Sequence, residues 1–284
     1  MKFYQEKSEV YCWDGAEADA ALASTTHLGI CAHQDDLEIL AVHGILECFH
    51  QDNKAFTGTV VTNGAGSARD FEYADYTDEE MQAVRRIEQK KAAFVGEYAA
   101  QVLMDHPSSV VKGAEHQPVV DDIIALLKAT RPQVVYTHNL CDKHDTHIAV
   151  ALRTIEALRA LDPSERPQKV IGCEVWRDLD WLPDHLKVAM DVTRHDNMQA
   201  ALVGVFDSQI AGGKRYDLAA MGRRKAHATF SESHGVDQTQ GLIYGMDLTE
   251  LVNDDSTDPS DFAQKIIEEF ATDVKNRVAK FKKK

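Results

Sequence analysis

The sequence lacks the features of a secreted or membrane-inserted protein. Its five cysteines are odd in number and include no Cys-x-x-Cys pair, which disfavours a disulfide framework and favours a reducing compartment. No stretch approaches the roughly 18 consecutive apolar residues of a membrane helix. Charged residues run through residues 1–20, so we expect no signal peptide. These absences predict a cytoplasmic protein that does not insert into a membrane.

Basic residues are scarce as well. Lys and Arg number 31 against 46 Asp and Glu, and the formal net charge is -15. Such a surface repels phosphate backbones, so nucleic acid is not an expected partner. The short basic end, Lys280–Lys284, is expected to be a solvated helix tail.

Internal repeats and low-complexity linkers are also absent from the 284 residues. That length suits one large α/β domain or two small ones. We expect a single domain over residues 1–284, with an N-terminal extension to about residue 26 and a helical C-terminal part from about residue 195. Homo-oligomerisation stays open.

Short apolar runs alternate with helical patterns along the chain, which predicts a Rossmann-like, mainly parallel sheet with helices on both faces. No Gly-x-Gly-x-x-Gly follows the first strand, which disfavours a dinucleotide enzyme. The predicted strands are 27–32, 56–62, 101–104, 133–137, 169–173 and 186–190. The predicted helices are 37–49, 77–98, 119–129, 144–161, 197–206, 214–229 and 261–280.

Two strand ends are rich in metal-ligating residue types. The first strand leads into His33 and Asp36, and a later one leads into His144 and His147. Ligands of parallel sheets bind beyond the carboxyl ends of the strands, so we expect the two segments to converge. Imidazoles and a carboxylate, with one position left to water, are typical of catalytic zinc, although Fe(II) accepts the same donors. Taken singly, Asp35 or Asp36 could simply cap the following helix, and His144 could be a surface residue.

At these residues the sequence resembles the PIG-L (LmbE-like) family of N-acetylglucosaminyl deacetylases. The family's A-H-P-D-D motif reads Ala32-His33-Gln34-Asp35-Asp36, and its H-P-D-H motif reads His144-Asp145-Thr146-His147. Between them, Arg85-Arg86-Ile87-Glu88 resembles the family's R-x-x-E segment. The resemblance extends over roughly residues 27–210. Gln34 replaces the usual Pro, and Thr146 replaces the usual Asp.

The resemblance implies a role for each motif residue. His33, Asp36 and His147 would bind zinc, Asp35 would be the general base, and a protonated His144 would stabilise the oxyanion. The implied reaction is removal of the N-acetyl group from an N-acetylglucosamine-type sugar or conjugate. Because Thr146 departs from the family pattern, the residue that orients His144 stays open.

Four residues are candidates for substrate binding: Asn63, Arg85, Trp176 and Arg177. Arg85 also stands one helical turn before Glu88, so an intrahelical ion pair is the alternative. The loop 67–80 holds three aromatic residues and is either a lid over a sugar ring or a solvated connection. Two other functions stay open, namely a zinc amidohydrolase acting on a non-sugar amide and a sugar-binding protein with a degenerate site.

Overall fold

A central eight-stranded sheet organises the chain in the computed structural model, which describes residues 1–282. The strand order is β1-β4-β3-β2-β5-β6-β8-β7, and the five consecutive strands β4, β3, β2, β5 and β6 are mutually parallel. The strands are β1 (Glu9–Tyr11), β2 (His27–Cys31), β3 (Phe56–Thr62), β4 (Ala100–His106), β5 (Val134–His138), β6 (Lys169–Cys173), β7 (Lys187–Asp191) and β8 (Leu242–Asp247).

Helices connect these strands and cover the sheet. They are α1 (Ala18–Ala23), α2 (Asp36–Leu40), α3 (Val42–Cys48), α4 (Asp78–Val95), α5 (Ser108–Lys112), α6 (Gln117–Thr130), α7 (Asp145–Arg159), α8 (Asp196–Gly204), α9 (Asp207–Ile210), α10 (Tyr216–Phe230), α11 (Thr249–Asn253) and α12 (Pro259–Phe281). Short 3-10 helices lie at Phe71–Tyr73, Pro163–Glu165 and Asp184–Leu186.

The central strand β2 shows why the sheet is covered on both faces. All five of its residues are buried, and successive side chains of a strand point to opposite faces. Leu28 and Ile30 join one hydrophobic core, while Cys31 joins the other. An apolar strand of this kind requires helices on both sides. The predicted fold class is therefore confirmed.

Two strands of the sheet, β1 and β8, were not among the predicted strands. β1 lies in the N-terminal extension and pairs antiparallel with β4, and β8 inserts antiparallel between β6 and β7. The C-terminal part is therefore not purely helical. β1 has only three residues, and β8 contains Gly245, where a Cβ would meet the Ile171 side chain at 2.3 Å. Neither strand has a clear alternating pattern of apolar residues in the sequence. Pairing with strands distant in sequence decides the place of each.

One predicted helix is divided in the structure, whereas another begins as expected. The segment 37–49 is not one helix, because α2 and α3 are separated at Ala41. The start of α4 agrees with the pattern, since Thr77 and Glu80 form a capping box.

The C-terminal helix α12 is mostly exposed, and it contains the beginning of the predicted basic tail. The end of that tail, residues 283–284, lies outside the described residues. No helix within residues 1–282 is long and apolar enough to cross a membrane.

Candidate metal centre

The turn after β2 places His33 and Asp36 side by side. Asp35 occupies the left-handed backbone region with a φ of 82°, which turns the chain sharply into α2. The Asp36 carboxylate accepts a hydrogen bond from the backbone N–H of His33 at 2.8 Å. As a result, His33 Nδ1 lies 3.2 Å from Asp36 Oδ2.

The segment after β5 brings a third donor to the same point. His144 is the N-cap of α7, and His147 lies in the first turn of that helix. His147 Nε2 lies 3.2 Å from His33 Nδ1 and 3.3 Å from Asp36 Oδ2. Two segments more than 100 residues apart therefore supply a triangle of donor atoms.

The triangle has the dimensions of a metal site. Zinc bound tetrahedrally at 2.0–2.1 Å separates its ligand atoms by about 3.3 Å, and the three observed separations are 3.2, 3.2 and 3.3 Å. Burial disfavours a charged His147, yet the carboxylates of Asp36 and Asp142 raise its pKa to about 9. The site thus favours positive charge at this point, and a divalent cation would supply it.

Two more histidines surround the triangle. One donor atom from each of His33, His144 and His147 lies within 4.8 Å of the others, and the same holds for Asp36, His138 and His147. His138 Nε2 already accepts the backbone N–H of Ala32 at 2.9 Å, so its lone pair is occupied. We therefore assign His138 a supporting place beside the triangle rather than a ligand position.

The Asp142 carboxylate contacts the ring of His147 rather than the ring of His144. Its Oδ2 lies 3.2 Å from His147 Nδ1, and its Oδ1 accepts the backbone N–H groups of Lys143 and His144. With Nδ1 donating to Asp142, His147 presents the lone pair of Nε2 toward the triangle. Asp142 Oδ2 also accepts a hydrogen bond from the backbone N–H of Trp176 at 3.2 Å, which links the segment after β6 to the same carboxylate.

The resemblance implies a protonated His144, but the surroundings of its ring disfavour the charged form. Burial, together with the neighbouring His147 and His33, lowers the pKa of His144 to about 4. Its Nδ1 accepts the backbone N–H of Thr146 at 3.3 Å, and no carboxylate contacts the ring in the described chain. These contacts favour a neutral His144 imidazole with its proton on Nε2.

Replacing Asp142 with Asn is expected to weaken metal binding by about 10- to 100-fold, the usual effect of losing a carboxylate that orients a ligating histidine. Asp145→Asn is the matched control, because Asp145 is exposed and three residues away. Competition with a chromophoric chelator measures both affinities, and thermal unfolding checks that the variants are folded. Equal affinities for the two variants would show that Asp142 does not orient His147.

A buried charge cluster supports Asp35. Arg85 is 1% exposed and donates to Asp35 Oδ2 at 2.9 Å and to Glu88 Oε2 at 3.3 Å, with a further bond to the Gln34 carbonyl. Glu88 in turn accepts the N–H and the hydroxyl of Ser208, both at 2.7 Å. Burial raises the pKa of Asp35 to about 7, while the Arg85 charge opposes that rise.

A cavity of about 730 Å³ opens onto the metal centre and the Asp35 carboxylate. Of the four predicted substrate-binding residues, Asn63, Arg85 and Trp176 line it, whereas the exposed Arg177 does not. The donors of Arg85 face Asp35 and Glu88, so the ion pair expected as the alternative is present. Lys112, Lys214 and Tyr216 also line the cavity, and no sequence motif marked them.

The loop 67–80 contributes small residues rather than aromatic rings to the cavity lining. Ser67 and Ala68 line the wall, but Phe71 is 69% exposed and Tyr73 donates its hydroxyl to Asp207 at 2.7 Å. Gln209 donates to the Ala68 carbonyl at 3.3 Å. These hydrogen bonds hold the loop against α9. Its three aromatic side chains are not among the residues that line the cavity.

The protein has a Rossmann-like α/β fold. Imidazoles and carboxylates that could hold a metal lie at the carboxyl edge of its parallel strands. The model of the PIG-L family, described as GlcNAc-PI de-N-acetylase, matches residues 28–158. The matched segment contains every residue of the metal centre described above. No match is found among curated protein sequences.

Solved structures share the fold at low sequence identity. The N,N'-diacetylchitobiose deacetylase of Pyrococcus horikoshii is 15% identical over 78% of this chain and 83% of its own, with a TM-score of 0.58. GalB, the 4-carboxy-2-hydroxymuconate hydratase of Pseudomonas putida KT2440, is 16% identical over 78% and 95%, with a TM-score of 0.60. The conserved protein TT1542 of Thermus thermophilus is 16% identical over 77% and 94%, with a TM-score of 0.59.

Proposed function

We propose that the protein is a zinc-dependent hydrolase that removes the N-acetyl group from an N-acetylglucosamine-type amino sugar or conjugate. The observation that carries the proposal is the triangle of His33, Asp36 and His147 with the spare carboxylate of Asp35 beside it, all at one cavity. The PIG-L match and the deacetylase among the similar structures support it.

His33, Asp36 and His147 would hold the metal, which when bound polarises the amide carbonyl and activates a water molecule. Asp35 takes the proton of the attacking water. Its Oδ2 accepts from Arg85, which leaves Oδ1 for the proton. Because burial raises its pKa to about 7, the carboxyl can accept a proton and return it near neutral pH.

The neutral His144 serves as a hydrogen-bond donor. Thr146 N–H holds Nδ1, so Nε2–H can donate to the amide oxygen as negative charge develops there. The proton on Asp35 then passes to the nitrogen, the C–N bond breaks, and acetate and a free amine remain. This role for His144 needs no orienting carboxylate, which accounts for the tolerance of Thr146.

Acetate release from N-acetylglucosamine conjugates is the direct test of the function. Treatment with a chelator is expected to abolish release, and addition of one equivalent of Zn²⁺ is expected to restore it. Anaerobic addition of Fe(II) to the same apoprotein compares the second candidate metal. Equal release in chelator and in zinc would contradict metal dependence.

The same assay separates the alternative functions. GalB shows that this fold also carries hydratase chemistry, so the fold alone does not decide the reaction. Faster release from acetylated amines without a sugar would favour the general amidohydrolase. Sugar binding without any release of acetate would favour the degenerate binding protein.

We also propose that residues 1–284 form one domain. β1 of the N-terminal segment and β8 of the C-terminal segment both belong to the central sheet. Separation of either segment would expose a strand edge, which favours one cooperative unit.

A further inference from the structure

The cavity is basic away from the metal centre, although the chain carries a net charge of -15. Asp35 and Asp36 are the two carboxylates in its lining as described for residues 1–282, and both belong to the centre. Lys112 lines the side next to β4, and Lys214 lines the side next to β6. The polarity of the cavity is thus opposite to that of the chain as a whole.

The basic character is strongest around Trp176, which we call the Trp176 end. The Nζ atoms of Lys214 and Lys143 lie 5.1 and 5.9 Å from the centre of the Trp176 ring. No carboxylate of the described chain lies within 4 Å of either ammonium group. Lys214 is half-buried, so its charge is only partly screened by solvent.

Lys214 lines the cavity, whereas Lys143 is exposed outside its lining. Neither ammonium group has a carboxylate partner within residues 1–282, so an anion placed beside Lys214 would be stabilised. The indole attracts each ammonium group but removes none of their net charge. Arg223 nearby donates to the Val175 carbonyl and so adds a third cation without a carboxylate partner. The Trp176 end therefore presents positive charge that the described chain does not neutralise.

We propose that the Trp176 end binds an oxyanion, a carboxylate or phosphate, of the substrate. The proposal rests on the function given above and specifies its substrate class as an anionic N-acetylated sugar. The Trp176 ring lies 6.2 Å from the ring of His144. An acetamido group at the metal centre and an anionic group at Lys214 can thus belong to one small molecule.

Binding of two matched ligands tests the proposal independently of turnover. N-acetylglucosamine 1-phosphate is expected to bind at least tenfold more tightly than the methyl glycoside of N-acetylglucosamine. Titration calorimetry of the zinc-loaded Asp35→Asn protein, which is expected to release acetate only slowly, measures both affinities. Raised ionic strength is expected to reduce this difference. The carboxymethyl glycoside, measured in parallel, shows whether a carboxylate or a phosphate is preferred.

Lys214→Gln is expected to weaken binding of the anionic glycosides by about tenfold and to leave the neutral glycoside within about twofold. Lys112→Gln is the matched control, because it removes the same charge from the other side of the cavity. A phosphate bound directly to the metal would keep its affinity in Lys214→Gln, which would overturn the proposal. Equal losses in the two variants would indicate a diffuse field instead and would overturn it too.

The two proposals fail in different ways. If neutral and anionic glycosides bind equally while acetate is released from both, the anion site is wrong and the deacetylase function stands. If the anionic preference and its loss in Lys214→Gln are present without acetate release from any glycoside, the anion site stands and the deacetylase function is wrong.

Discussion

Asp35→Asn is expected to retain the metal and to lower the rate of acetate release by about 10³-fold, within the range of general acid–base catalysis. The variant is well suited to the site. Asp35 has a φ of 82°, and asparagine is among the few side chains that adopt this left-handed conformation readily. The change removes a proton acceptor and keeps the shape of the turn.

The charge balance of the buried cluster also favours a folded variant. Arg85 faces both Asp35 and Glu88, so loss of the Asp35 charge leaves Arg85 paired one-to-one with Glu88. Zinc content by mass spectrometry and the initial rate of acetate release are the two measurements.

Asp36→Asn is the companion variant, and it is expected to lose metal and activity together because Asp36 stands in the donor triangle. If Asp35→Asn were as active as the unchanged protein, another group would have to move the proton. If it lost zinc instead, Asp35 would belong among the ligands.

Arg85→Met is expected to destabilise the protein by about 3–5 kcal/mol, the usual effect of removing one partner from a buried ion pair. The substitution leaves Asp35 and Glu88 buried without a cation, and their side chains are 8% and 3% exposed. Met fills a similar volume, so the change is mainly electrostatic. Urea unfolding followed by circular dichroism measures the difference in the free energy of unfolding.

Arg86→Met is the matched control, since the adjacent Arg86 is 20% exposed and lies 3.5 Å from Asp105. Because this pair is less buried than the Arg85 cluster, Arg86→Met is expected to destabilise the protein less than Arg85→Met. The double variant Arg85→Met, Glu88→Gln is expected to recover part of the lost stability, because one uncompensated charge is removed. Equal destabilisation by Arg85→Met and Arg86→Met would show that the buried cluster contributes no more to the free energy of unfolding than the Arg86–Asp105 pair.

The local sequence was sufficient for the central fold. β2 and β3 are apolar runs, and their bounds follow from the sequence within one residue. Strands β1 and β8 were not predicted, because β1 is short and β8 depends on contact with β6 and β7. Their places are decided by pairing with distant residues and leave no periodic pattern.

Part of the candidate metal centre was also predictable from the sequence, and part was not. Residue types and spacing within each motif predicted that His33, Asp36 and His147 would converge, and the structure brings them together. Their roles as ligands stay a prediction for the metal-binding experiments. The orientation of His144 was not predictable, because it depends on a backbone N–H of Thr146 and on Asp142 turning to His147 instead.

By itself, the sequence determined the residue types at two strand ends and the fold that places those ends at one edge. Both follow from local patterns, since a motif carries its own spacing and a buried strand its own run of apolar residues. Only the tertiary structure decided that Arg85 supports Asp35 and that Lys143 and Lys214 each lie near the Trp176 ring. Those pairs join residues that are far apart along the chain, and such contacts arise only when the helices pack on the sheet.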